Sequence, residues 1–171
     1  MIFLRSSLQA IIRSAIALVV LLPAYPLNAV AETSLPAARD LAADAQSAAQ
    51  SAMPLIVLVS LAGCPHCDAV RRSHLLPLLR GGVAAPTPVI RQVEVNGSER
   101  LRNFNGREIT HADFARRYKV KITPVVFFFD GKGVPLTEPL VGSMIPDFYG
   151  AYFDAAFNEA KSKLHTARSK N

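Results

Sequence analysis

The sequence predicts an α/β domain, and three observations support that fold class. A continuous apolar run with β-branched residues, Leu55 to Leu61, has the length of a buried strand. Segments with apolar residues at helical spacing alternate with such runs, which is typical of helices packed on a sheet. Asp130-Gly131 lies between two apolar runs and is a strong signal for a β-hairpin. The predicted order is helix, strand, helix, strand, helix, strand, strand, helix, in one domain.

The first 31 residues predict a signal peptide that is not part of this domain. Arg5 and Arg13 precede the apolar run 15–22, and Ala29-Val30-Ala31 supplies the small residues that a signal peptidase prefers. We expect cleavage after Ala31 and export to the periplasm. The alternative is an uncleaved signal that anchors the protein, although the run is shorter than the roughly twenty apolar residues a spanning helix needs.

The mature chain has a modest positive charge. Removal of 31 of the 171 residues leaves 140, with 17 of the 19 basic groups and all 13 acidic groups. The basic residues are dispersed and lack interleaved exposed aromatic residues, so we expect no nucleic-acid partner. We expect a monomer, with a basic flexible tail over 163–171.

The first half of the mature chain predicts helix, strand, helix and strand. Residues 32–53 are expected to form an N-terminal helical segment capped by Ser34; a partly ordered linker is the alternative, because small side chains bury little area. The strand at Leu55–Val59 should be central and covered on both faces. The next helix runs from Cys64 to Leu79, with a kink at Pro77 inside it. A strand nearer the sheet edge follows at Val89–Val95.

The second half predicts a loop, a short helix, a hairpin and a last helix. The polar stretch Ser98–Ile109 indicates a loop, and Thr110 caps the short helix after it. The hairpin strands are Ile122–Phe129 and Val134–Val141. The last helix begins at Pro146, and its apolar stripe is more typical of a core than of a ligand site; the stripe contains Tyr149, Tyr152, Phe153, Ala156, Phe157 and Ala160.

The motif Cys64-Pro65-His66-Cys67 stands at the predicted junction of the first strand and the next helix, and it holds both cysteines of the sequence. Pro65 fits the first helical position. One sulfur then lies at the helix start and the other one turn along on the same face, so they can pair. The helix dipole and the unsatisfied N–H groups favour a thiolate at Cys64, lowering its pKa from about 8.5. Cys64 is the predicted nucleophile and Cys67 the resolving thiol.

Other roles for these residues stay open from the sequence. A structural disulfide would constrain little of the unfolded chain, because the loop it closes is small. A structural zinc needs about four ligands, whereas the histidines are scattered. Two thiolates and His66 could hold Cu(I). His66 is either a solvated loop residue or a group that tunes the thiolate by hydrogen bonding or charge. We expect no metal and no cofactor.

The element order, the Cys-x-x-Cys motif and a Thr-Pro pair at the head of the hairpin resemble the thioredoxin superfamily over nearly the whole mature chain. The likeness is nearest to exported SoxW-like thioredoxin-related proteins. It rests on Cys64–Cys67, Asn105–Thr110, Phe114–Tyr118 and Ile122–Pro124. The resemblance implies a thioredoxin fold over residues 54–162, with a central mixed β-sheet, helices on both faces, and a C-terminal β-hairpin plus helix.

The resemblance also assigns roles to Thr123 and Pro124. It implies a cis Pro124 that faces the active-site disulfide, and a Thr123 backbone that pairs with substrate like an added strand. An ordinary edge-strand proline is the alternative. The sequence departs from the family's pattern at two positions. Leu58 stands where many members have a buried acid, so the proton of Cys67 must move through water or another group. Gly63 replaces a common aromatic residue.

The direction of electron flow stays open in the sequence. Pro65-His66 resembles strongly oxidising periplasmic enzymes, whereas Thr123 before the proline resembles isomerases and reductases. We expect a reductase of exported protein disulfides that is recycled by a membrane-bound redox partner, because the chain lacks room for an inserted helical or dimerisation domain. The alternatives are a disulfide-donating oxidase of the DsbA type and a Cu(I)-binding chaperone.

Overall fold

Among the described residues, the central sheet has four strands, which lie side by side in the order 90–94, 55–60, 125–129 and 140–141. A computed structural model describes residues 34–81, 86–143 and 146–169, and the predicted signal peptide therefore lies outside the described residues. The strands are β1 (Leu55–Ser60), β2 (Ile90–Glu94), β5 (Val125–Phe129) and β6 (Leu140–Val141). β1 pairs parallel with β2 and antiparallel with β5, and β5 pairs antiparallel with β6. The mixed sheet confirms the predicted fold class.

Helices cover both faces of this sheet, and the core is divided accordingly. All six residues of β1 are buried, as expected for a central strand. Its alternate residues Ile56 and Leu58 pack with the helices at 65–79 and 146–168, a side that we call the cysteine face. Val57 and Val59 point the other way, toward the helices at 41–50 and 111–117. We call that side the aromatic face, because four phenylalanines and a tyrosine pack together on it; these are Phe104, Phe114, Phe127, Phe129 and Tyr118.

The first described helix, α1, covers only Leu41–Gln50 and is capped by Asp40. The prediction of one helix over 32–53 is therefore wrong for residues 34–40. Those residues run beside β2 instead, where Ala38 N–H donates to Gln92 C=O at 2.8 Å and Gln92 N–H donates to Pro36 C=O at 2.9 Å. The outer edge of β2 needs partners for its backbone groups, and this tertiary demand outweighs local helix propensity.

The helix that carries the cysteines has three parts, which we call together the cysteine helix. They are α2 (Pro65–Val70), a π-helical segment (Arg71–Leu75) and α3 (Leu76–Leu79). Leu76 N–H donates to Arg71 C=O, five residues back. The sequence predicts a kink at Pro77, and the structure has this π-helical segment just before it. Proline lacks an N–H and its ring crowds the carbonyl four residues earlier, so a regular α-helical turn is disfavoured there. The helix ends at Leu79, before Gly81.

A small hairpin replaces the loop predicted at Ser98–Ile109. Its strands are β3 (Arg100–Arg102) and β4 (Glu108–Thr110), which pair antiparallel. Leu101 is its anchor in the core, with 1% of its surface exposed. The following helix, α4 (His111–Arg117), begins with a capping box between Thr110 and Asp113, which confirms the predicted cap.

The C-terminal hairpin and helix are present, with changed bounds. β6 has two residues because Pro135 and Pro139 supply no N–H to the ladder. The last helix, α5 (Pro146–Arg168), continues through most of the predicted flexible tail, so that prediction is wrong for 163–168. Tyr152 is 61% exposed and lies outside the buried stripe to which it was assigned. Within the described ranges, no helix is both long and apolar enough to cross a membrane.

Candidate active site

Cys64 and Cys67 form a disulfide at the start of the cysteine helix, with their Cα atoms 5.3 Å apart. A turn after β1 brings them there: Cys64 N–H donates to Leu61 C=O at 3.2 Å, and Gly63 has a φ of +74°. Cys64 occupies the N-cap and Pro65 follows inside the first turn. The N–H of Cys67 points at the Cys64 sulfur, 3.2 Å away. The sequence-predicted pair is therefore placed with the first sulfur at the helix start.

The two sulfurs differ in their access to solvent. Cys67 has none of its surface exposed, whereas Cys64 is half-buried and its neighbours Pro65 and His66 are exposed. A protein partner can therefore reach Cys64 first, and Cys67 only after local movement. This order is the one required of a nucleophile and a resolving thiol.

The Thr123-Pro124 peptide bond is cis, as the resemblance implies. The Thr123 hydroxyl lies 3.8 Å from the Cys64 sulfur, so two segments 59 residues apart meet at the disulfide. Gly142 N–H donates to Pro124 C=O at 2.7 Å and holds this loop against β6. Among the described residues, nothing hydrogen-bonds to the N–H or C=O of Thr123. Its backbone is available to an extended peptide.

Exposed apolar side chains flank this point. Ile122 is 55% and Val141 56% exposed, one on each side of the cis peptide loop. A groove of about 330 Å³ continues from Gly142 and Ser143 between β6 and α5, where Tyr149 and Tyr152 line it. Burial raises the pKa of Tyr149, so its phenol is neutral in this groove. The surface beside the disulfide is suited to an apolar segment of a partner protein.

His66 has a partner that sequence reasoning missed. The Ser143 hydroxyl lies 3.3 Å from Nδ1 of His66, and Ser143 is 8% exposed. Seventy-seven residues separate the two side chains in the chain, so no local pattern could relate them. The contact holds the imidazole beside the disulfide and supports a tuning role over that of a solvated loop residue.

Leu58, at the position of the family's buried acid, is fully buried among apolar side chains. One strand over, at the same end of the sheet, stands a second residue that sequence reasoning missed. Glu94 accepts hydrogen bonds from Ser60 Oγ at 2.8 Å and from Gln92 Nε2 at 2.5 Å. Gln92 in turn accepts from Arg71 of the cysteine helix at 3.0 Å. A polar network therefore links the sheet to the helix that carries the disulfide.

The described part of the chain offers no group of three or more His, Cys, Asp or Glu side chains that could hold a metal ion. A structural zinc, with its four ligands, has no support there. Cu(I) needs only the two sulfurs and a nearby ligand, and the geometry leaves that alternative open.

Comparisons with known proteins give the family and the fold. The model of a family described as a thioredoxin-like domain matches residues 41–157. No curated protein matches the sequence. A thioredoxin-fold protein from Helicobacter pylori is similar in structure, with a TM-score of 0.53 and 14% identity, covering 81% of this chain and 91% of that one. Thioredoxin O2 from Arabidopsis thaliana in its oxidised state gives a TM-score of 0.47 at 16% identity, covering 73% and 96%. Oxidised mitochondrial thioredoxin 3 from Saccharomyces cerevisiae gives 0.46 at 16% identity, covering 72% and 98%.

Proposed function

Because this chain belongs to the thioredoxin-like family, we propose that it is a thiol-disulfide oxidoreductase of the exported, SoxW-like kind that reduces disulfides in a few exported proteins. The observation that carries the proposal is the disulfide between Cys64 and Cys67 at a helix start, with Thr123 Oγ1 3.8 Å from the Cys64 sulfur. A lone disulfide in this position is reactive, since its first sulfur is accessible and its reduced form is stabilised locally.

The proposed cycle balances two electrons and two protons. In the dithiol form, the Cys64 thiolate attacks a partner disulfide; a bond from Cys64 to one partner sulfur forms, and the other partner sulfur leaves as a thiolate that takes up a proton. Cys67 then loses its proton and attacks the Cys64 sulfur. The Cys64–Cys67 disulfide forms, and the partner is released with both sulfurs reduced. A membrane-bound dithiol partner supplies the two electrons that restore the enzyme.

Two contacts and one backbone segment without hydrogen-bond partners support the first step. The N–H of Cys67, which lies 3.2 Å from the Cys64 sulfur, stabilises a thiolate there better than a thiol. The Thr123 hydroxyl, 3.8 Å away, adds a weaker donor. The unoccupied backbone of Thr123 gives an extended partner segment a place to pair beside the sulfur. The partner's disulfide is thereby held close to the attacking atom.

The opposite direction of flow is the second candidate, and Pro65-His66 favours it. A donor from His66 that stabilises the Cys64 thiolate would make the protein more oxidising, because stabilising the reduced form raises the reduction potential. The reduction potential of the processed protein distinguishes the two. We expect a value near about −270 mV, that of thioredoxin, and activity in insulin reduction; a value near about −120 mV, with disulfide donation, would establish the oxidase instead.

The mechanism predicts different outcomes for the two cysteine variants. Cys67→Ser should accumulate a mixed disulfide between Cys64 and the partner, because no second thiol resolves it. Cys64→Ser should lose all turnover and trap nothing, and it is the matched control. The measurement is non-reducing electrophoresis with mass spectrometry after expression in the native host. Turnover by the wild type without any trapped partner in Cys67→Ser would contradict the mechanism.

Copper binding is tested separately. A stable one-to-one Cu(I) complex of a protein that does not reduce insulin would identify a copper chaperone.

Export is part of the proposal and has its own test. The compartment determines whether a Cys-x-x-Cys pair needs a dedicated reductant. We expect the mature protein in the periplasmic fraction, with Glu32 as its first residue by N-terminal sequencing. Recovery of the full-length chain in the membrane fraction would identify an uncleaved anchor.

A further inference from the structure

One partly buried carboxylate on the cysteine face has hydrogen-bond partners for only one of its two oxygens. Glu94 Oε1 accepts two hydrogen bonds, from Ser60 and Gln92. Glu94 Oε2 is buried and has no hydrogen-bond partner among the described residues. Nor does any cation of the described ranges form an ion pair with it. Burying a carboxylate oxygen without a hydrogen-bond partner lowers the stability of the fold. Such an oxygen in a native structure calls for an explanation, and a catalytic role is one.

The sheet register places Glu94 beside the last residue of β1, from which a short turn leads to the cysteine helix. Glu94 pairs with Ser60, the last residue of β1, and Val95 N–H donates to Ser60 C=O at 2.8 Å. From Ser60 the chain needs only the turn at 61–64 to reach Cys64. Along β2 the side chains alternate, so Glu94 and Ile90 share a side, and Ile90 belongs to the core of the cysteine face.

The buried side of the cysteine helix faces the same region. Cys67 is fully buried, as is Val70, which packs in the core of the cysteine face. Arg71 is four residues after Cys67 and so lies on the same side of the helix. Its guanidinium reaches Gln92, which itself donates to Glu94. These two hydrogen bonds connect the side of the helix that carries Cys67 with the side of β2 that carries Glu94.

We propose that Glu94 takes the proton of Cys67 when this thiol resolves the mixed disulfide, a role that rests on the proposed function. A fully buried thiol cannot pass its proton straight to solvent. Glu94 is the one acid of the described residues with a buried oxygen that has no partner, and the sheet register places it beside the end of β1 that leads to the cysteines. The transfer runs directly or through one water molecule.

The Cys67 S–H bond breaks and its proton passes to the Glu94 carboxylate. The Cys67 thiolate attacks the Cys64 sulfur, so the Cys64–Cys67 bond forms and the bond from Cys64 to the partner breaks with its electron pair on the partner sulfur. Glu94 then releases the proton to solvent or to the departing partner thiolate.

Other charged groups around Glu94 are accounted for by other contacts. On the cysteine helix, Arg71 is paired with Asp68 at 2.5 Å, and Asp68 is exposed over 41% of its side chain. On α4, His111 accepts the backbone N–H of Glu94 at its Nδ1 atom, 3.2 Å away, and its Nε2 bonds to Ala38 C=O at 2.9 Å. β1 contributes only the neutral Ser60 to this contact.

Reaction of the reduced protein with Ellman's reagent separates the two thiols. Attack by Cys64 releases the first thionitrobenzoate, and resolution by Cys67 releases the second. In Glu94→Gln we expect the second phase to slow at least about tenfold at pH 7, since general base catalysis is worth about 10²–10⁴-fold. Its pH profile should move to higher pH, while the first phase stays within about twofold. The measurement is stopped-flow absorbance from pH 5 to 9.

Two further variants make the test decisive. Glu94→Asp keeps an acid and should give an intermediate second phase with the wild-type pH profile. Glu99→Gln makes the same change at an exposed position after β2; it is the matched control and should leave both phases unchanged. Wild-type second phases in both Glu94 variants, or an equally slowed second phase in Glu99→Gln, would overturn the role of Glu94. Such a result would leave the proposed function intact. The proposed function fails only if the wild-type protein does not turn over.

Discussion

The two faces of the central sheet are both packed, yet they differ in the polar groups that they bury. On the aromatic face the rings pack against one another, with Phe129 in contact with four other rings, and the buried polar side chain of α4, His111, is hydrogen-bonded through both ring nitrogens. The cysteine face has an apolar centre but ends in Ser60 and Glu94, at the end of β1 from which the chain turns toward the disulfide. Both buried side-chain atoms without a partner among the described residues, Glu94 Oε2 and the Tyr149 hydroxyl, belong to this second face.

The difference separates stability from chemistry. Apolar burial and ring packing supply most of the free energy of folding. A carboxylate oxygen that is buried without a hydrogen-bond partner costs stability, and it persists only where the rest of the molecule compensates. We infer that packing on the aromatic face offsets the loss of folding free energy caused by the polar groups that the cysteine face buries near its disulfide.

The largest expected effect comes from breaking the aromatic face. Phe129→Ala removes a fully buried ring and should lower the free energy of unfolding by about 3–5 kcal/mol. Denaturant unfolding measures it. Phe148→Ala is the matched control, since Phe148 is 60% exposed, and it should change stability by less than about 0.5 kcal/mol. Similar losses in both variants would contradict the assignment of stability to this face.

A smaller effect sharpens the description of the cysteine face. Ser143→Ala removes the hydroxyl next to His66 Nδ1, so the imidazole is no longer held where it can stabilise the Cys64 thiolate. The reduction potential should fall by about 10–30 mV, the equivalent of one hydrogen bond of about 0.5–1.5 kcal/mol. Redox titration against glutathione measures it. Ser98→Ala, at an exposed loop position, should have the wild-type potential. An unchanged potential in Ser143→Ala would leave His66 without a tuning role.

The smallest effect is a pH dependence on the cysteine face. Burial against Tyr149 and Phe153 lowers the pKa of His74, and the Asp154 carboxylate offsets part of this. The folded protein thus favours the neutral ring, so its contribution is complete above about pH 6.5 and is lost as the pH falls through the lowered pKa. Solvent screening should keep the loss below about 1 kcal/mol.

Urea unfolding at pH 5 and pH 7.5 measures this loss. His74→Phe keeps a ring in the contact and should remove that part of the pH dependence, whereas His165→Gln, at an exposed position of α5, should keep it. An identical pH dependence in His74→Phe and wild type would show that other groups are responsible.

The sequence predicts those parts of the fold whose signals are local and strong. The apolar run of β1, the capping box of Thr110 and Asp113 and the Asp-Gly hairpin need few neighbours to form, and all three are present. β3 and β4 escape prediction because each has three residues and a single buried apolar anchor, Leu101. Residues 34–40 contain alanines that favour a helix, but these residues pair with the edge of β2 instead.

The same division holds for the candidate site. Cys64, Pro65 and Cys67 are set by one turn of helix, so their spacing alone predicts their arrangement. Ser143 is 77 residues from its hydrogen-bond partner His66, and Glu94 is 34 residues from its partner Ser60. Serine and glutamate are common on surfaces, and nothing in their local sequence marks them as buried. Only the pairing of strands brings them to the disulfide.

The π-helical segment, Arg71–Leu75, has a consequence for how the redox motif is joined to the rest of the protein. Buried Val70 and buried Leu75 are five residues apart, one more than a regular helical turn separates. The widened turn absorbs that additional residue, so the cysteine end and the leucine end both point inward. The direction in which the cysteines point around the helix axis therefore need not follow the direction of the leucines. We expect that the wide turn can adjust to changes in the leucine packing without rotating Cys64 and Cys67 away from Thr123.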